Sequence, residues 1–164
     1  REGAEEETVQ APGPIFYLFS YWPEIIAFTL DFLQRRSPVG PGKDGYYRDV
    51  HRVMIGSQFV DPGVEIAPDE EPTIVNTMPY SRKIEVGFMR MSVERGVYQD
   101  ARRAVMGKFG GAVEVRFQMI VIPNPYILKG RFRRGFRQYA RTGLKRDTQA
   151  GQTMTYPSLS FRMR

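Results

Sequence analysis

Few residues in this sequence have the types and spacing that catalysis requires. His51 is the only histidine and there is no cysteine, so a metal site would take its other ligands from carboxylates, and a thiolate site is excluded. The acidic cluster Asp69-Glu70-Glu71 lacks the interleaved spacing of a calcium-binding loop. A metal-dependent nuclease that uses these carboxylates with His51 is one hypothesis. A structural histidine and a solvated connector are the simpler interpretation, so the sequence predicts no enzyme activity, no cofactor and no metal.

The chain also contains no sequence motif for phosphate binding or for nucleophilic catalysis. The glycine-rich segment at residues 107–111 reads Gly-Lys-Phe-Gly-Gly, whereas a phosphate-binding loop ends in Gly-Lys-Ser or Gly-Lys-Thr. No Ser/His/Asp or Cys/His set with a defined spacing can be assigned. These observations leave binding and assembly as the classes of function to consider.

Positive charge is concentrated towards the C-terminus. The chain has 24 basic and 18 acidic residues, a formal charge of +6. From Pro123 onward ten basic residues face a single acid, Asp147, which gives +9, so residues 1–122 carry −3. Arginine binds phosphate and aromatic rings stack on bases, but protein interfaces are also rich in both. The candidate contacts for DNA or for an acidic partner are Arg131, Arg133, Arg134, Arg137, Arg141, Lys145 and Arg146.

The N-terminal segment is first acidic and then aromatic. An acidic start is unlike a signal or transit peptide, and no run approaches the ~18 apolar residues of a membrane span, so we expect cytosolic synthesis and no membrane contact. The aromatic part predicts an arm that packs on its own core or on a neighbouring subunit. The alternative is an exposed patch that awaits a partner. These arm residues are Phe16, Tyr17, Phe19, Tyr21 and Trp22.

Hydrophobic periodicity between these two segments predicts a mixture of helices and strands. Helices are expected over residues 23–36, 80–85 and 96–108, because apolar residues recur at helical spacing and prolines stand at first turns. Strands are expected at residues 46–58, 73–75, 112–122, 126–128 and 156–164. The first is broken or bulged near Gly56, residues 112–122 form a buried strand, and residues 156–164 form a last edge strand. Residues 64–71 are expected to be an acidic connector or a short strand.

This order of elements predicts an α+β fold in which helices pack on one face of a small antiparallel sheet, with extended N- and C-terminal arms. At 164 residues the chain is long enough for one domain with a core. The predicted parts are an acidic and aromatic arm over residues 1–22, an α+β core over residues 23–122 and a basic extension over residues 123–164.

Two short motifs in the predicted core resemble those of the tail-completion, or neck, proteins of tailed bacteriophages. The first is a helix ending in Arg-Arg-Ser37-Pro38-Val39-Gly40, followed by Gly-Tyr-Tyr-Arg and a strand. The second runs from Asn76 to Gly87 and is similar to the family pattern Asn-x-x-x-Tyr-Ala-x-x-Ile/Leu-Glu-x-Gly. The resemblance spans residues 23–122. It departs from the family at Gly40-Pro41, where Asp-Thr is usual, at Ser81, which replaces alanine, and from Pro123 onward, which has no counterpart.

The resemblance implies a protein that performs no chemistry and assembles as a ring or set of copies between the DNA-filled head and the tail. The implied partners are further copies, other neck, portal-side or tail proteins and, without base specificity, packaged DNA. The implied location is the virion neck, after synthesis in the host cytoplasm. The alternative function is a small non-enzymatic nucleic-acid-binding module that uses the basic and aromatic segment. The motif residues are expected to be structural: Pro38, Gly40, Tyr80, Ile84, Glu85 and Gly87.

Overall fold

The computed structural model describes residues 20–39, 46–88, 92–128 and 151–164. Within these ranges the chain forms four helices and five strands. None of these helices is long and apolar enough to cross a membrane. In chain order the elements are α1 (Trp22–Arg36), α2 (Tyr46–Asp49), β1 (His51–Ile55), β2 (Gln58–Val60), β3 (Pro72–Asn76), α3 (Ser81–Glu85), α4 (Val97–Phe109), β4 (Val113–Ile120) and β5 (Tyr156–Met163).

The five strands form one antiparallel sheet in the order β2-β1-β3-β5-β4. This confirms the predicted α+β fold. The prediction that β5 is an edge strand is wrong, because β5 lies between β3 and β4 and pairs with β4 along its whole length. The core therefore extends beyond residue 122, and the segment predicted as a C-terminal extension supplies an interior strand.

The helices pack on one face of the sheet, which we call the helical face. Both long helices bury one side of their surface there. The fully buried residues are Trp22, Ile25 and Leu33 of α1 and Tyr98, Ala101 and Val105 of α4. They pack against alternate residues of the strands, such as Val53, Ile74 and Leu159, because successive strand residues point to opposite faces. Pro23 lies in the first turn of α1 and two arginines lie in its last turn, where a missing N–H costs nothing and cations favour the carbonyl end.

The strand predicted over residues 46–58 is wrong in its first part, whereas the break predicted near Gly56 is confirmed as a turn. Residues 46–49 form α2, and the rest form a hairpin in which Ile55 pairs with Gln58 across a two-residue turn. Gly56 has φ +58°, in the left-handed region, as the first central residue of a type II′ turn requires. The sequence predicted a break at this glycine but did not predict that the strands on either side of it pair with each other.

The opposite face of the sheet, which we call the open face, carries a second and smaller hydrophobic cluster. Met54, Val75 and Tyr156 of the sheet are covered by Ile122, Leu128 and Met154 from the segments that flank β4 and β5. The strand predicted at residues 126–128 is reduced to one bridge, between Ile127 and Thr153. The strand predicted at residues 112–122 is confirmed as β4, but the prediction that it is buried is wrong, because β4 is an edge strand and is partly exposed.

Candidate functional site

The motif segments meet on the helical face at a buried polar cluster formed by Ser37, His51, Asn76 and Tyr98. Ser37 follows α1, His51 begins β1, Asn76 ends β3 and Tyr98 lies in the first turn of α4. His51 Nε2 is 2.9 Å from Ser37 Oγ, and His51 Nδ1 is 2.9 Å from the Tyr98 hydroxyl. All four side chains are buried. The cluster therefore joins two helices to two strands.

The hydrogen bonds fix which atoms carry protons. Ser37 Oγ donates to the carbonyl oxygen of Leu33 at 2.5 Å, so it can only accept from His51. His51 Nε2–H is then the donor to Ser37, and Nδ1 accepts from the Tyr98 hydroxyl. Burial lowers the pKa of His51 to about 3 and raises that of Tyr98. The imidazole is neutral at pH 7, both of its nitrogens are engaged, and it contributes to packing.

Asn76 connects the same cluster to the backbone. Its Nδ2 donates to the carbonyl oxygen of Tyr47 at 2.6 Å, and its Oδ1 accepts from the amide of Met78 at 3.0 Å. The side chain thus fixes the turn that leads from β3 to α3. Tyr80, next in the motif, stacks on Tyr47 with 6.2 Å between ring centroids, and Ile84 is buried in the main core.

Glu85 caps the N-terminus of α4 from a different helix. Its carboxylate accepts from the amides of Tyr98 at 2.9 Å and Gln99 at 3.2 Å, and its carbonyl oxygen accepts from Gly96 at 3.0 Å. The first amides of a helix have no partner within the helix, and its N-terminus attracts negative charge. Burial raises the pKa of Glu85, while the two amide bonds act in the opposite direction. Glu85 therefore links α3 to α4.

Two further motif positions are explained by local geometry. Gly87 ends α3 with φ +79°, and an added Cβ would lie 3.0 Å from Arg95 Cδ, so glycine is required there. Pro38 is buried immediately after α1. Gly40 lies outside the described residues. The motif residues that the structure describes thus stabilise the fold through contacts within the chain.

The residues of the nuclease hypothesis do not come together. His51 and Pro72 lie at opposite ends of the β1–β3 pair, and Glu71 precedes Pro72. Glu70 accepts from the amide of Ala67, and Glu71 pairs with Arg162 at the surface. Across the described ranges no group of three or more His, Asp or Glu side chains could hold a metal ion.

The predicted contact residues lie mostly outside the described part of the chain. Of the arm residues, Tyr21 is 53% exposed, whereas Trp22 is fully buried and donates from Nε1 to the carbonyl oxygen of Ala67 at 3.0 Å. Trp22 is therefore a core residue. The residues outside the described ranges are Phe16, Tyr17, Phe19, Arg131, Arg133, Arg134, Arg137, Arg141, Lys145 and Arg146.

The described residues do establish where the basic segment is attached. The amide of Leu128 donates to Gln152 at 3.1 Å, and the amide of Gly151 donates to Leu128 at 2.8 Å. Leu128 and Gly151, which flank residues 129–150 with their eight basic residues and one acid, are thus held next to each other. The sequence predicted a C-terminal extension, whereas the structure fixes the chain on both sides of these basic residues.

An apolar groove lies on the open face beside this attachment point. It has a volume of about 650 Å³, and none of its lining residues is charged. The lining includes Phe59, Pro79, Ile122, Pro125, Tyr126 and Ile127. Tyr156 forms a buried part of its wall, and its hydroxyl accepts from the amide of Tyr126 at 3.0 Å. Sequence reasoning missed the groove, because its walls come from segments far apart in the chain.

The rim of the groove exposes large apolar side chains. Ile127 is 55% exposed, Phe59 42% and Tyr126 39%. Proline residues at 123 and 125 and the backbone bonds of Leu128 and Met154 hold the wall in place. A preformed apolar concavity with an exposed rim is typical of a binding surface.

Comparison of the chain with protein-family models, with curated proteins and with solved structures found no match.

Proposed function

We propose that this chain is a structural virion protein of the phage neck or tail-completion type. It assembles in multiple copies, as a ring or set, and joins the DNA-filled head to the tail without catalysing a reaction. Its partners are further copies of the chain and other neck, portal-side or tail proteins, and its location is the head–tail junction.

The observation that carries this proposal is the meeting of the two motif segments around His51. Ser37 and Asn76 are separated by 39 positions in the sequence, yet both contact the His51 side chain. Glu85, from the end of the second motif, then caps α4 through its carboxylate. Residues that resemble a family motif would be scattered if the resemblance were accidental. Their convergence on one scaffold supports the resemblance as one of fold, and function follows from it by analogy.

The surfaces away from this scaffold are suited to assembly. The groove offers an uncharged apolar contact, and Leu128 and Gly151, the residues that flank the strongly cationic stretch 129–150 in the sequence, lie beside it. Arginines can meet DNA phosphates in a channel without reading bases. A closed ring also allows short segments to bind neighbouring copies.

The decisive experiment is electron microscopy of lysates from a phage that carries a nonsense mutation in the gene for this chain. Filled heads beside separate or abnormally ended tails are expected. Normal, infectious particles would refute the neck function.

The alternative function is a small non-enzymatic nucleic-acid-binding module, and the eight basic residues within 129–150 favour it. Duplex binding by the purified chain at two salt concentrations tests it, since contacts with phosphate weaken steeply with salt. Replacement of Arg131, Arg133, Arg134, Arg137 and Arg141 by glutamine should then abolish binding. If the same variant instead forms particles in wild-type yield, these arginines have no part in assembly.

A further inference from the structure

The groove on the open face sets the chemistry of what can bind it. Its walls carry aromatic, aliphatic and proline side chains and no charge, so burial of a charged group there would be costly. The described hydrogen bonds already hold its wall, so an occupant pays little to order it. The groove therefore selects an apolar, uncharged segment.

One segment of this chain matches that requirement. Residues 8–23 form the longest run in the sequence without Asp, Glu, Lys or Arg, and residues 14–19 read Pro-Ile-Phe-Tyr-Leu-Phe. In the insertion at residues 129–150, by contrast, Phe132 has an arginine on both sides and Phe136 has one immediately after it. That insertion would bring charge into the groove.

Charge complementarity points the same way. Four glutamates, at positions 2, 5, 6 and 7, precede the uncharged run. The groove wall continues through Leu128 into the insertion, which has a formal charge of +7. A segment that lies in the groove with its N-terminal end towards Leu128 would place these glutamates beside the basic residues. Such pairing steers association and fixes direction.

The position of Trp22 argues that the segment comes from another copy. Trp22 is buried in the core on the helical face, whereas Ile122 and Tyr156 of the groove belong to the cluster on the open face. Packed layers lie about 10 Å from a sheet, so the two sites are about 20 Å apart. Phe19 is three residues from Trp22, and an extended chain covers at most about 3.6 Å per residue. Phe19 thus stays within about 11 Å of Trp22, so residues 14–19 cannot all lie in the groove of their own molecule.

We propose that the groove binds residues 14–19 of a neighbouring copy. This inference rests on the multi-copy assembly of the proposed function and names the contact that makes it. Because the segment and the groove are different surfaces, the contact is heterologous, and repetition of it closes a ring or extends a filament.

The test uses the absence of cysteine from the chain. Single-cysteine variants of the full-length chain, Phe16→Cys and Ile127→Cys, are purified, mixed and treated with a short bis-maleimide. The matched control is Val121→Cys, because Val121 is 57% exposed, close to the 55% of Ile127, and does not line the groove. We expect a covalent dimer of the two different variants in about tenfold higher yield with Ile127→Cys than with Val121→Cys, since bound reactants have a high effective concentration.

A chain that carries both Phe16→Cys and Ile127→Cys distinguishes the two sources of the segment. Linked dimers and larger species support exchange between copies. Cross-linking within single molecules would show that the chain's own segment fills the groove and would overturn the proposal. Equal yields for Val121→Cys and Ile127→Cys, or no linkage at all while copies remain associated, would overturn it as well.

A substitution in the groove gives a second readout. Ile127→Glu should weaken self-association by about tenfold or more in sedimentation equilibrium, whereas Val121→Glu should not, because only the former places a charge in the apolar contact. These measurements use the purified chain and the neck function is judged by particle assembly, so either proposal can fail while the other stands.

Discussion

Acidification should destabilise this protein through His51. In the folded chain, burial lowers the pKa of the imidazole to about 3, and both ring nitrogens are hydrogen bonded inside the polar cluster. In the unfolded chain the pKa is the ordinary 6.5. Between these two values the unfolded state binds a proton that the folded state excludes. The contribution of His51 to the free energy of unfolding is therefore fully present above pH 6.5, and it is lost as the pH decreases towards 3.

The size of the effect follows from the two pKa values. Each pH unit inside the window removes at most about 1.4 kcal/mol from the free energy of unfolding. Between pH 7 and pH 4.5 the loss assigned to His51 is about 2.5 kcal/mol. Glu85 acts in the opposite direction, because its raised folded pKa makes the folded state the better proton acceptor just above pH 4.5. The wild-type curve alone would thus understate the contribution of His51.

The assay is urea denaturation at a series of pH values, followed by the fluorescence of Trp22, which is the only tryptophan and is fully buried. His51→Gln is the comparison variant, because glutamine can donate to Ser37 but does not titrate. The difference in unfolding free energy between wild type and variant cancels Glu85 and isolates His51. That difference should change by about 2.5 kcal/mol from pH 7 to 4.5. Parallel pH profiles for the two proteins would refute a neutral, buried histidine.

The remaining predictions concern the junction between α3 and α4. Glu85→Ala leaves the buried amide of Tyr98 without its hydrogen-bond acceptor. This substitution should lower the free energy of unfolding by about 2–4 kcal/mol. A loss below about 0.5 kcal/mol would mean that water replaces the carboxylate as the cap. Gly96 has φ +84°, so Gly96→Ala should cost about 1–2 kcal/mol in the same assay. Gly63→Ala is its control, because an added Cβ there meets nothing within 4 Å, and equal losses would contradict the strain argument.

The two faces of the sheet differ in what their residues contact. The helical face holds the polar cluster, the capped helix and the main core, and its contacts are internal. The open face carries the exposed groove rim and the attachment of the basic insertion. Substitutions at the first should change stability, and substitutions at the second should change association with little effect on folding.

Sequence pattern determined the elements whose evidence is local. The apolar stripe and charged ends of α1, the periodicity of α4 and the glycine after α3 depend on neighbours within one or two turns, so the α+β class and most boundaries could be predicted. The interruption at Gly56 could be predicted from the glycine, but the reversal of the chain there could not, because it depends on the pairing of β1 with β2.

Only the tertiary structure decided the features that depend on segments far apart in the chain. The interior position of β5 is set by pairing with β3 and β4, and the sequence of a strand does not name its partners. The capping role of Glu85, the burial of His51 and the walls of the groove likewise arise where distant segments meet. Local sequence specifies an element and its faces, but hydrogen-bond partners and concave surfaces are created when the chain packs.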